Sequence, residues 1–384
     1  MKQLGELCDV LDHMRKPVTK SDRTAGPYPY YGATGILDYV SEYIFDELLV
    51  LVGEDGAKWG SGENTAYAVK GKCWVNNHAH VLRPFREILI DKWLIYYLNH
   101  SDLKLFVSGL TVPKLNQGNL KKIPIPVPPL PEQQRFVDIL DEAFEGIVRA
   151  KANAEKNIQN ARELFEGYLQ SVFTQRGEGW VERRLGEEDI MKIIDGDRGV
   201  NYPKSSEFTS DGFCLFLNTK NVRSDGFNFD TTMFITEEKD RQLRKGKLKR
   251  DDVVLTTRGT IGNVGHYSED VPYDNIRINS GMLIFRPKKN KLLPTYLFQL
   301  FRSAIMKEQI KKYSTGAAQP QLPIKTLVNF NIPVPEIETQ NVIIKKLHSF
   351  EPVTKKLEFI YQQKLTALDE LKKSLLDQAF SGQL

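Results

Sequence analysis

The sequence has few cysteines. Three occur among 384 residues, at Cys8, Cys73 and Cys214. An odd and scattered set does not predict a disulfide framework, so we expect reduced thiols in a cytoplasmic protein. A run of about 18 apolar residues is missing, and the first residues lack an apolar stretch. Neither a membrane span nor a signal peptide is therefore expected.

Motifs for catalysis are missing as well. An adenine methyltransferase would need an Asp/Asn-Pro-Pro-aromatic loop, and a translocating ATPase would need a Gly-x4-Gly-Lys-Ser/Thr loop. Neither occurs in the sequence. The glycines of Gly259–Gly265 have the wrong spacing for a dinucleotide fingerprint, so they predict a hairpin turn instead.

Two small groups of polar residues also fail to predict a site. Cys73, His78 and His80 lack a fourth ligand, so an incidental grouping is favoured over a zinc site. Glu54 and Asp55, with a lysine nearby, do not have the spacing of a nuclease motif. We therefore expect no metal, no cofactor and no catalytic residue.

Composition permits an ordinary globular protein of two or three domains. Hydrophobic residues make up 41% of the chain, charged residues make up 27%, and the formal net charge is +4. This mildly basic balance suits a nucleic-acid-binding protein, although it does not exclude other partners.

A long amphipathic segment follows a proline-rich run in the middle of the chain. Between Pro131 and Gln175 there is no proline, and steps of four and three residues meet a nearly unbroken apolar stripe. This pattern predicts a coiled-coil helix of roughly 40 residues, about 60 Å long. The stripe comprises Phe136, Leu140, Ala143, Ile147, Ala150, Ala154, Asn157, Ala161, Leu164 and Tyr168.

The same element recurs 207 residues later. Ile125-Pro-Val-Pro128 becomes Ile332-Pro-Val-Pro335, and Gln133 becomes Gln340. Because the register needs no gap over about 50 residues, a duplication is favoured over two unrelated surface helices. The second stripe comprises Ile343, Leu347, Phe350, Thr354, Leu357, Tyr361, Lys364, Leu368, Leu371 and Leu375.

Each helix follows a domain with the same skeleton. In the first domain, Leu48–Val52 is predicted to be a buried strand, and Pro27–Gly35 an aromatic, glycine-bearing loop. In the second domain, Val253–Thr256 corresponds to that strand. Arg258–Gly262 then occupies the place of Gly53–Gly56.

The order of domain, helix, domain and helix gives predicted boundaries of 1–127, 128–179, 180–334 and 335–384. The predicted fold class is α+β, with two tandem globular α/β domains separated by two long helices. The second helix can bury its stripe by running back along the first, which predicts an antiparallel coiled coil with pseudo-two-fold symmetry. Its expected interface comprises Phe136, Leu140, Ile147, Ala154, Ala161, Leu164, Ile343, Leu347, Leu357, Leu368, Leu371 and Leu375.

The chain resembles the specificity subunit of type I restriction-modification enzymes over essentially its whole length. The resemblance is carried by the repeated Ile-Pro-Val-Pro before Gln133 and Gln340, the Leu-Gly-Glu domain starts, Arg258–Gly262 and Gly316–Leu322. It implies two target recognition domains, each reading one half of a bipartite site in double-stranded DNA. It also implies that the helices bind two modification subunits, to which restriction subunits add. One departure is that Gly109–Leu115 lacks the glutamines of its counterpart.

Arginine pairs with guanine, and asparagine or glutamine with adenine, through two hydrogen bonds each. Polar residues on the predicted loops are therefore the candidate DNA-binding residues, although each one could instead be a turn former or a solvated side chain. In the first domain they are Lys58, Trp59, Ser61, Asn64, Asn76, Asn77, His78, Lys114 and Asn116. In the second they are Arg198, Asn201, Asn218, Lys220, Asn221, Arg258, Asn279, Gln319 and Gln321.

Two alternatives remain open on the sequence alone. The basic cluster in the second domain could contact phosphates or form a solvated charged helix. A coiled-coil scaffold whose heads bind proteins is the alternative to a DNA-binding protein, and a steep loss of affinity with salt would indicate DNA. The cluster comprises Arg241, Arg244, Lys245, Lys247, Lys249 and Arg250.

Overall fold

The computed structural model describes residues 1–109, 111–314 and 321–384. The chain forms two compact units, one of Met1–Lys156 with Tyr361–Leu384 and the other of Asn157–Ile360. Each unit combines one domain with part of both long helices. Within the described ranges, the helices lack an apolar stretch long enough to cross a membrane.

The first unit contains a mixed sheet and the start of a long helix. Its strands are β1 (Lys2–Gln3), β2 (Cys8–Val10), β3 (Ala25–Gly32), β4 (Gly35–Val40), β5 (Phe45–Gly53), β6 (Ala66–Val75), β7 (Ala79–Pro84) and β8 (Pro124–Ile125). Its helices are α1 (Asp91–His100), α2 (Gln117–Leu120), the first part of α3 (Leu130–Thr174) and the last part of α8 (Ile337–Ser381).

The strands of the first unit are ordered β2-β7-β5-β6-β3-β4, and β3 runs parallel to β6. The prediction of a loop over Pro27–Gly35 is wrong, because most of it lies in the β3–β4 hairpin. Strand β3 pairs with β6 at Tyr30 and Tyr31, beyond both prolines. The missing N–H groups of Pro27 and Pro29 therefore remove no hydrogen bond from that side of the sheet.

The second unit repeats this plan with a longer insertion. Its strands are β9 (Val181–Arg184), β10 (Met191–Asp195), β11 (Cys214–Leu217), β12 (Val222–Arg223), β13 (Gly226–Phe227), β14 (Phe234–Ile235), β15 (Val253–Thr256), β16 (Val264–His266), β17 (Ile276–Ile278), β18 (Met282–Pro287) and β19 (Asn331–Val334). Its helices are the last part of α3, α4 (Glu237–Gln242), α5 (Pro294–Arg302), α6 (Ala304–Tyr313), α7 (Ile324–Leu327) and the first part of α8 (Ile337–Ser381).

The strand order β10-β18-β15-β16 reproduces β2-β7-β5-β6. The register matches too, since Leu255 pairs with Leu283 where Val52 pairs with His80. The parallel pairs differ, because β3 lies beside β6 in the main sheet, whereas β11 lies beside β17 in a separate three-stranded sheet. The predicted duplication of an α+β domain is confirmed.

The two long helices pack antiparallel within each unit. In the first unit, Arg135 near the start of α3 donates to the carbonyl of Leu384 at 2.8 Å. In the second unit, Arg162 contacts Glu358 at 2.7 Å, and the rings of Tyr168 and Phe350 lie 4.6 Å apart. The antiparallel pairing of the helices is therefore present in both units.

The buried stripe shifts along the helices. Leu164 is 53% exposed and Leu371 is 47% exposed, so their placement in the interface is corrected. A stripe of period 3.5 drifts by about 20° per heptad on a helix of 3.6 residues per turn. After four heptads, the buried residues of α3 include Leu169 in place of Leu164. The other members of the predicted interface are buried or half-buried, namely Phe136, Leu140, Ile147, Ala154, Ala161, Ile343, Leu347, Leu357, Leu368 and Leu375.

A buried glutamine fixes the start of α3. Gln133 is fully buried, and its amide oxygen accepts from the N–H of Ile90 at the start of α1 (2.9 Å). Its amide nitrogen donates to the carbonyls of Ile88 (2.9 Å) and Pro128 (2.8 Å). We call this arrangement the glutamine clamp. It joins the domain, the proline run and the long helix at one point.

The second unit contains the same clamp. Gln340 accepts from the N–H of Leu293 (2.8 Å) and donates to the carbonyls of Lys291 (2.9 Å) and Pro335 (2.8 Å). Each of these partners occupies the position of a partner of Gln133. The clamp therefore repeats atom for atom.

Replacing a clamp glutamine should destabilise its unit. In Gln133→Ala, three backbone groups lose their partner in a buried setting, so we expect the free energy of unfolding to fall by about 2 kcal/mol or more. The measurement is urea unfolding followed by circular dichroism. Gln134→Ala, which removes an exposed side chain, should change it by less than about 0.5 kcal/mol. Equal losses in the two variants would contradict a role for the clamp.

Candidate nucleic-acid interface

Four segments of the first unit meet where β5 ends. The N–H of Glu54 donates to the carbonyl of His78 (2.9 Å), and its carbonyl accepts from the N–H of Leu115 (2.8 Å). Asp55 then forms an antiparallel bridge with Lys114. We call this meeting point the first junction, and it comprises residues 12–15, 53–55, 76–80 and 114–117.

The second unit has the same backbone arrangement at the end of β15. The N–H of Thr257 donates to the carbonyl of Gly281 (2.8 Å), and its carbonyl accepts from the N–H of Leu322 (3.0 Å). Arg258 forms the antiparallel bridge with Gln321. This second junction comprises residues 195–198, 256–258, 279–283 and 321–325.

An aspartate and an arginine three residues later hold both junctions together. Arg15 lies 3.3 Å from the carboxylate of Asp12 and donates to the carbonyl of Asn77 at 3.4 Å. Arg198 lies 3.1 Å from Asp195 and donates to the equivalent carbonyl, also at 3.4 Å. These contacts are part of the duplicated skeleton, so they do not distinguish the two junctions.

An asparagine shapes the turn in each junction. The side-chain oxygen of Asn76 accepts from the N–H of His78, and that of Asn279 accepts from the N–H of Gly281, both at 2.8 Å. Asn76 is also buried. The prediction that Asn76 contacts DNA is therefore corrected, because the residue forms a buried turn.

Ion pairs fill the first junction. The buried carboxylate of Glu54 contacts Arg15 and lies 2.9 Å from Nζ of Lys114. Lys114 Nζ also lies 3.8 Å from Asp55, whose carboxylate contacts Nδ1 of His78. The hydrogen bond to Glu54 raises the pKa of Lys114 above its usual value. Both cations of this junction therefore face carboxylates of the protein itself.

His80 is fully buried at the base of this network. Its Nδ1 lies 2.6 Å from Asp12, its Nε2 lies 2.6 Å from the carbonyl of Leu115, and Gln117 donates to Asp12 at 3.1 Å. Asp12, Glu54 and His80 bring together atoms of the kind that hold metals. These atoms already have hydrogen-bonding or ionic partners, so the grouping is a buried polar network.

The second junction carries different side chains and is open. Thr257 and Arg258 stand at the positions of Glu54 and Asp55, and the exposed Gln321 lies opposite Arg258. They border a cleft of about 300 Å³. Its lining comprises Asp195, Arg198, Thr257, Arg258, Leu283, Gln321, Leu322, Pro323, Ile324 and Lys325.

Many of the predicted DNA-binding residues lie at the junctions. Those in the first junction are Asn76, Asn77, His78, Lys114 and Asn116. Those in the second junction are Arg198, Arg258, Asn279 and Gln321. The structure thus gathers residues that are scattered along the sequence.

Other predicted residues lie on separate loops. Lys58, Ser61 and Asn64 are exposed between β5 and β6, and Ser61 donates to the carbonyl of His100 at 2.7 Å. In the second unit, Asn201, Asn218 and Lys220 lie outside the junction. Gln319 lies outside the described residues.

Two predicted residues belong to the core. Trp59 is 8% exposed, and its Nε1 donates to the carbonyl of Gly53 at 3.0 Å. Asn221 is fully buried, and its amide donates to the carbonyls of Asn228 (3.1 Å) and Thr231 (2.7 Å). Both predictions are corrected, because these side chains satisfy backbone groups inside the domain.

The basic cluster is divided between structural and exposed side chains. Lys247 contacts the buried carboxylate of Asp240, and Arg250 donates to carbonyls in the turn 268–271. Arg241 is exposed on α4. A continuous phosphate-binding patch is therefore not formed by all six residues.

Sequence reasoning missed several junction residues. Asp12, Arg15 and Lys325 are not among the residues predicted from the sequence, and Glu54 and Asp55 are considered there only as a nuclease motif. A signal for two of them exists, because Asp12-x-x-Arg15 recurs 183 residues later as Asp195-x-x-Arg198. Repeated polar pairs of this kind mark a shared skeleton.

The fold and the junctions define a duplicated protein with two matching domains and two long helices. The family model for the type I restriction modification DNA specificity domain matches residues 1–159 and 177–367. The chain therefore belongs to the family of type I restriction-modification specificity subunits, which confirms the resemblance inferred from the sequence.

Relatives named as specificity subunits align over most of the chain. A putative type I restriction enzyme specificity subunit from Haemophilus influenzae is 28% identical over 360 residues, covering 92% of this chain and 88% of the relative. The type I restriction enzyme MjaVIII specificity subunit from Methanocaldococcus jannaschii is 25% identical, covering 100% of this chain and 92% of its own.

Solved structures show the same fold. A chain from a study of complex assembly and conformational transition of the type I R-M system aligns with a TM-score of 0.76 and 18% identity, over 100% of this chain and 97% of that chain. The HsdS subunit from Thermoanaerobacter tengcongensis aligns with a TM-score of 0.60 and 19% identity, over 100% of this chain and 96% of that chain.

The network in the first junction should make stability depend on pH. Burial acts to raise the pKa of Asp12, but the hydrogen bond with His80 and the charge of Arg15 outweigh it, so the pKa lies below its usual 3.8. Such a group stabilises the folded state above about pH 4, and this contribution is lost as the pH falls through the folded-state pKa.

We therefore expect Asp12→Asn to melt at a lower temperature than the native chain near pH 7. The difference should narrow as the pH is lowered toward about 3. The exposed Asp211→Asn is the matched control and should follow the native chain throughout. A gap in melting temperature that stays constant with pH would show that the charge of Asp12 is not its source.

Proposed function

We propose that this chain is the DNA-recognition subunit of a type I complex and has no catalytic site of its own. Each domain would read one half of an asymmetric bipartite site in double-stranded DNA. The observation that carries the proposal is the pair of junctions, whose backbone hydrogen bonds are the same while their side chains differ in charge. Two surfaces of this kind suit a target with two different halves.

The long helices would serve the assembly of the complex. We propose that α3 and α8 set the half-site spacing and bind two modification subunits, with restriction subunits completing the complex in the cytoplasm. Each helix has 45 residues, which corresponds to about 68 Å. Exposed apolar side chains on them, such as Val148 (66%) and Phe359 (61%), offer contact area for protein partners.

Exchanging one domain should change one half-site. Residues 185–330 are replaced by the corresponding residues of another type I specificity subunit, while both glutamines of the clamp are kept. Methylated positions are then mapped in cells that carry the complete system. We expect one half of the bipartite motif to change and the other half and the spacing to remain.

The reciprocal exchange of residues 7–115 is the control, and it should change the opposite half. Simultaneous change of both halves in either chimera would contradict separate reading. A complete system in which the native chain directs no bipartite methylation would contradict the proposed function itself.

Lengthening both helices should lengthen the spacer between the half-sites. One helical turn is about 5.4 Å and one base pair about 3.4 Å, so inserting a turn near Ala154 and at the paired position of α8 should add one or two base pairs. Both half-site sequences should stay the same, because neither junction is altered. An insertion in α3 alone breaks the pairing and serves as the control. An active double insertion with an unchanged spacer would exclude the helices as the ruler.

A further inference from the structure

Among the described residues, two cations of the second junction, Arg258 and Lys325, have neither an ion pair nor a side-chain hydrogen bond. Of the two, only Arg258 has the planar fork of donors that matches a base edge. Arg15 and Lys114 face carboxylates, and Arg198 is held by Asp195. Over residues 1–109, 111–314 and 321–384, Arg258 has neither an ion pair nor a side-chain hydrogen bond, and it is exposed. Its five N–H donors are therefore available to a ligand.

The backbone beneath Arg258 is fixed. Thr257, the preceding residue, is hydrogen-bonded on both sides, and Arg258 itself is bridged to Gln321. Gly259 follows with φ of 70°, a conformation that favours glycine and turns the chain away. A rigid base with an unpaired side chain is the arrangement expected of a residue that reads a ligand.

The same position in the first unit has the opposite charge. Asp55 takes the place of Arg258, with the same backbone bridge, and Lys114 takes the place of Gln321. In the first unit these two residues partly neutralise each other at 3.8 Å. In the second unit the pair consists of a guanidinium and an amide, neither of which has a side-chain partner among the residues that the structure describes. The chemistry of this position changes while its geometry is kept.

We propose that Arg258 is the residue of the second domain that determines specificity, and that it reads a guanine. This inference rests on the proposed function. The guanidinium would donate two hydrogen bonds to O6 and N7 of the base in the major groove. Gln321, which is bridged to Arg258, would contact the neighbouring base pair. A carboxylate at the same position would repel those two acceptors, so the first domain, with Asp55 there, would read a different base.

A phosphate contact is the competing role for Arg258, and conservative variants separate the two. Arg258→Lys keeps the charge but lacks the planar fork, so it should retain a phosphate contact and lose the bidentate pairing with guanine. Arg258→Gln removes the charge as well. Arg241→Gln, also at an exposed arginine of the second unit, is the matched control.

The test uses the complete type I complex, with methylated positions mapped in the cells and duplex binding measured at several salt concentrations. The domain exchange described above assigns the half-site of the second unit, which should contain a required guanine. In Arg258→Gln and Arg258→Lys we expect discrimination at that one position to fall by roughly 5- to 150-fold. The other positions should be unchanged. Arg241→Gln should relax no base position.

Three results would overturn the inference while leaving the proposed function standing. The first is an assigned half-site without a guanine, and the second is a guanine requirement that survives in Arg258→Gln. The third is a uniform loss of affinity with a salt slope reduced by about one and rescued by lysine, which identifies a phosphate contact. Melting temperatures equal to that of the native chain would exclude misfolding as the cause of relaxed discrimination. Failure of the native chain to direct bipartite methylation would instead reject the proposed function.

Discussion

The architecture depends on a buried amide that is satisfied on all sides. Gln133 and Gln340 each accept one backbone hydrogen bond and donate two, and each does so with full burial. An unpartnered amide in that position would be costly, so the start of the long helix, the proline run and the first turn of α1 or α5 must meet in one geometry. A second tie supports the clamp, since Trp93 donates to the carbonyl of Pro126 as Tyr296 does to that of Pro333.

This constraint explains how one skeleton supports two different surfaces. Backbone hydrogen bonds, the Asp-x-x-Arg contact and the asparagine turn hold each junction without help from the side chains that differ. Positions such as Asp55 and Arg258 can therefore change charge without disturbing the fold. Loops supported in this way are where specificity can vary while the scaffold stays fixed.

The sequence predicts the order of domains and long helices well, because the duplication allows one half of the chain to be compared with the other. The proline run, the glutamine and the helical stripe recur at a constant offset of 207, and β5 and β15 follow from buried apolar runs. The stripe itself is less predictable over four heptads, since the drift between 3.5 and 3.6 residues per turn exchanges Leu164 for Leu169.

Individual side chains at the candidate site are harder to predict, because a polar residue on a loop looks the same whether it faces solvent or the backbone. Asn221 and Trp59 have side-chain N–H donors and lie between strands, as a DNA-contacting residue would. Both nevertheless donate to backbone carbonyls inside their domain. The burial of Glu54 and His80 is explained only by contacts with distant segments of the chain, such as that between Glu54 and Arg15. Such partners are fixed by tertiary contacts, which a single sequence does not reveal.

The ion-pair network of the first junction has a thermodynamic consequence for recognition. Its side chains are already ordered by one another, so binding a ligand there requires little further loss of conformational freedom. Arg258 and Lys325 border an open cleft and must be immobilised on contact, at a cost of about 0.5–1.5 kcal/mol for each side chain. In the proposed function, the first domain would therefore bind as a preformed surface, and the second would adapt to its half-site with a larger entropic penalty.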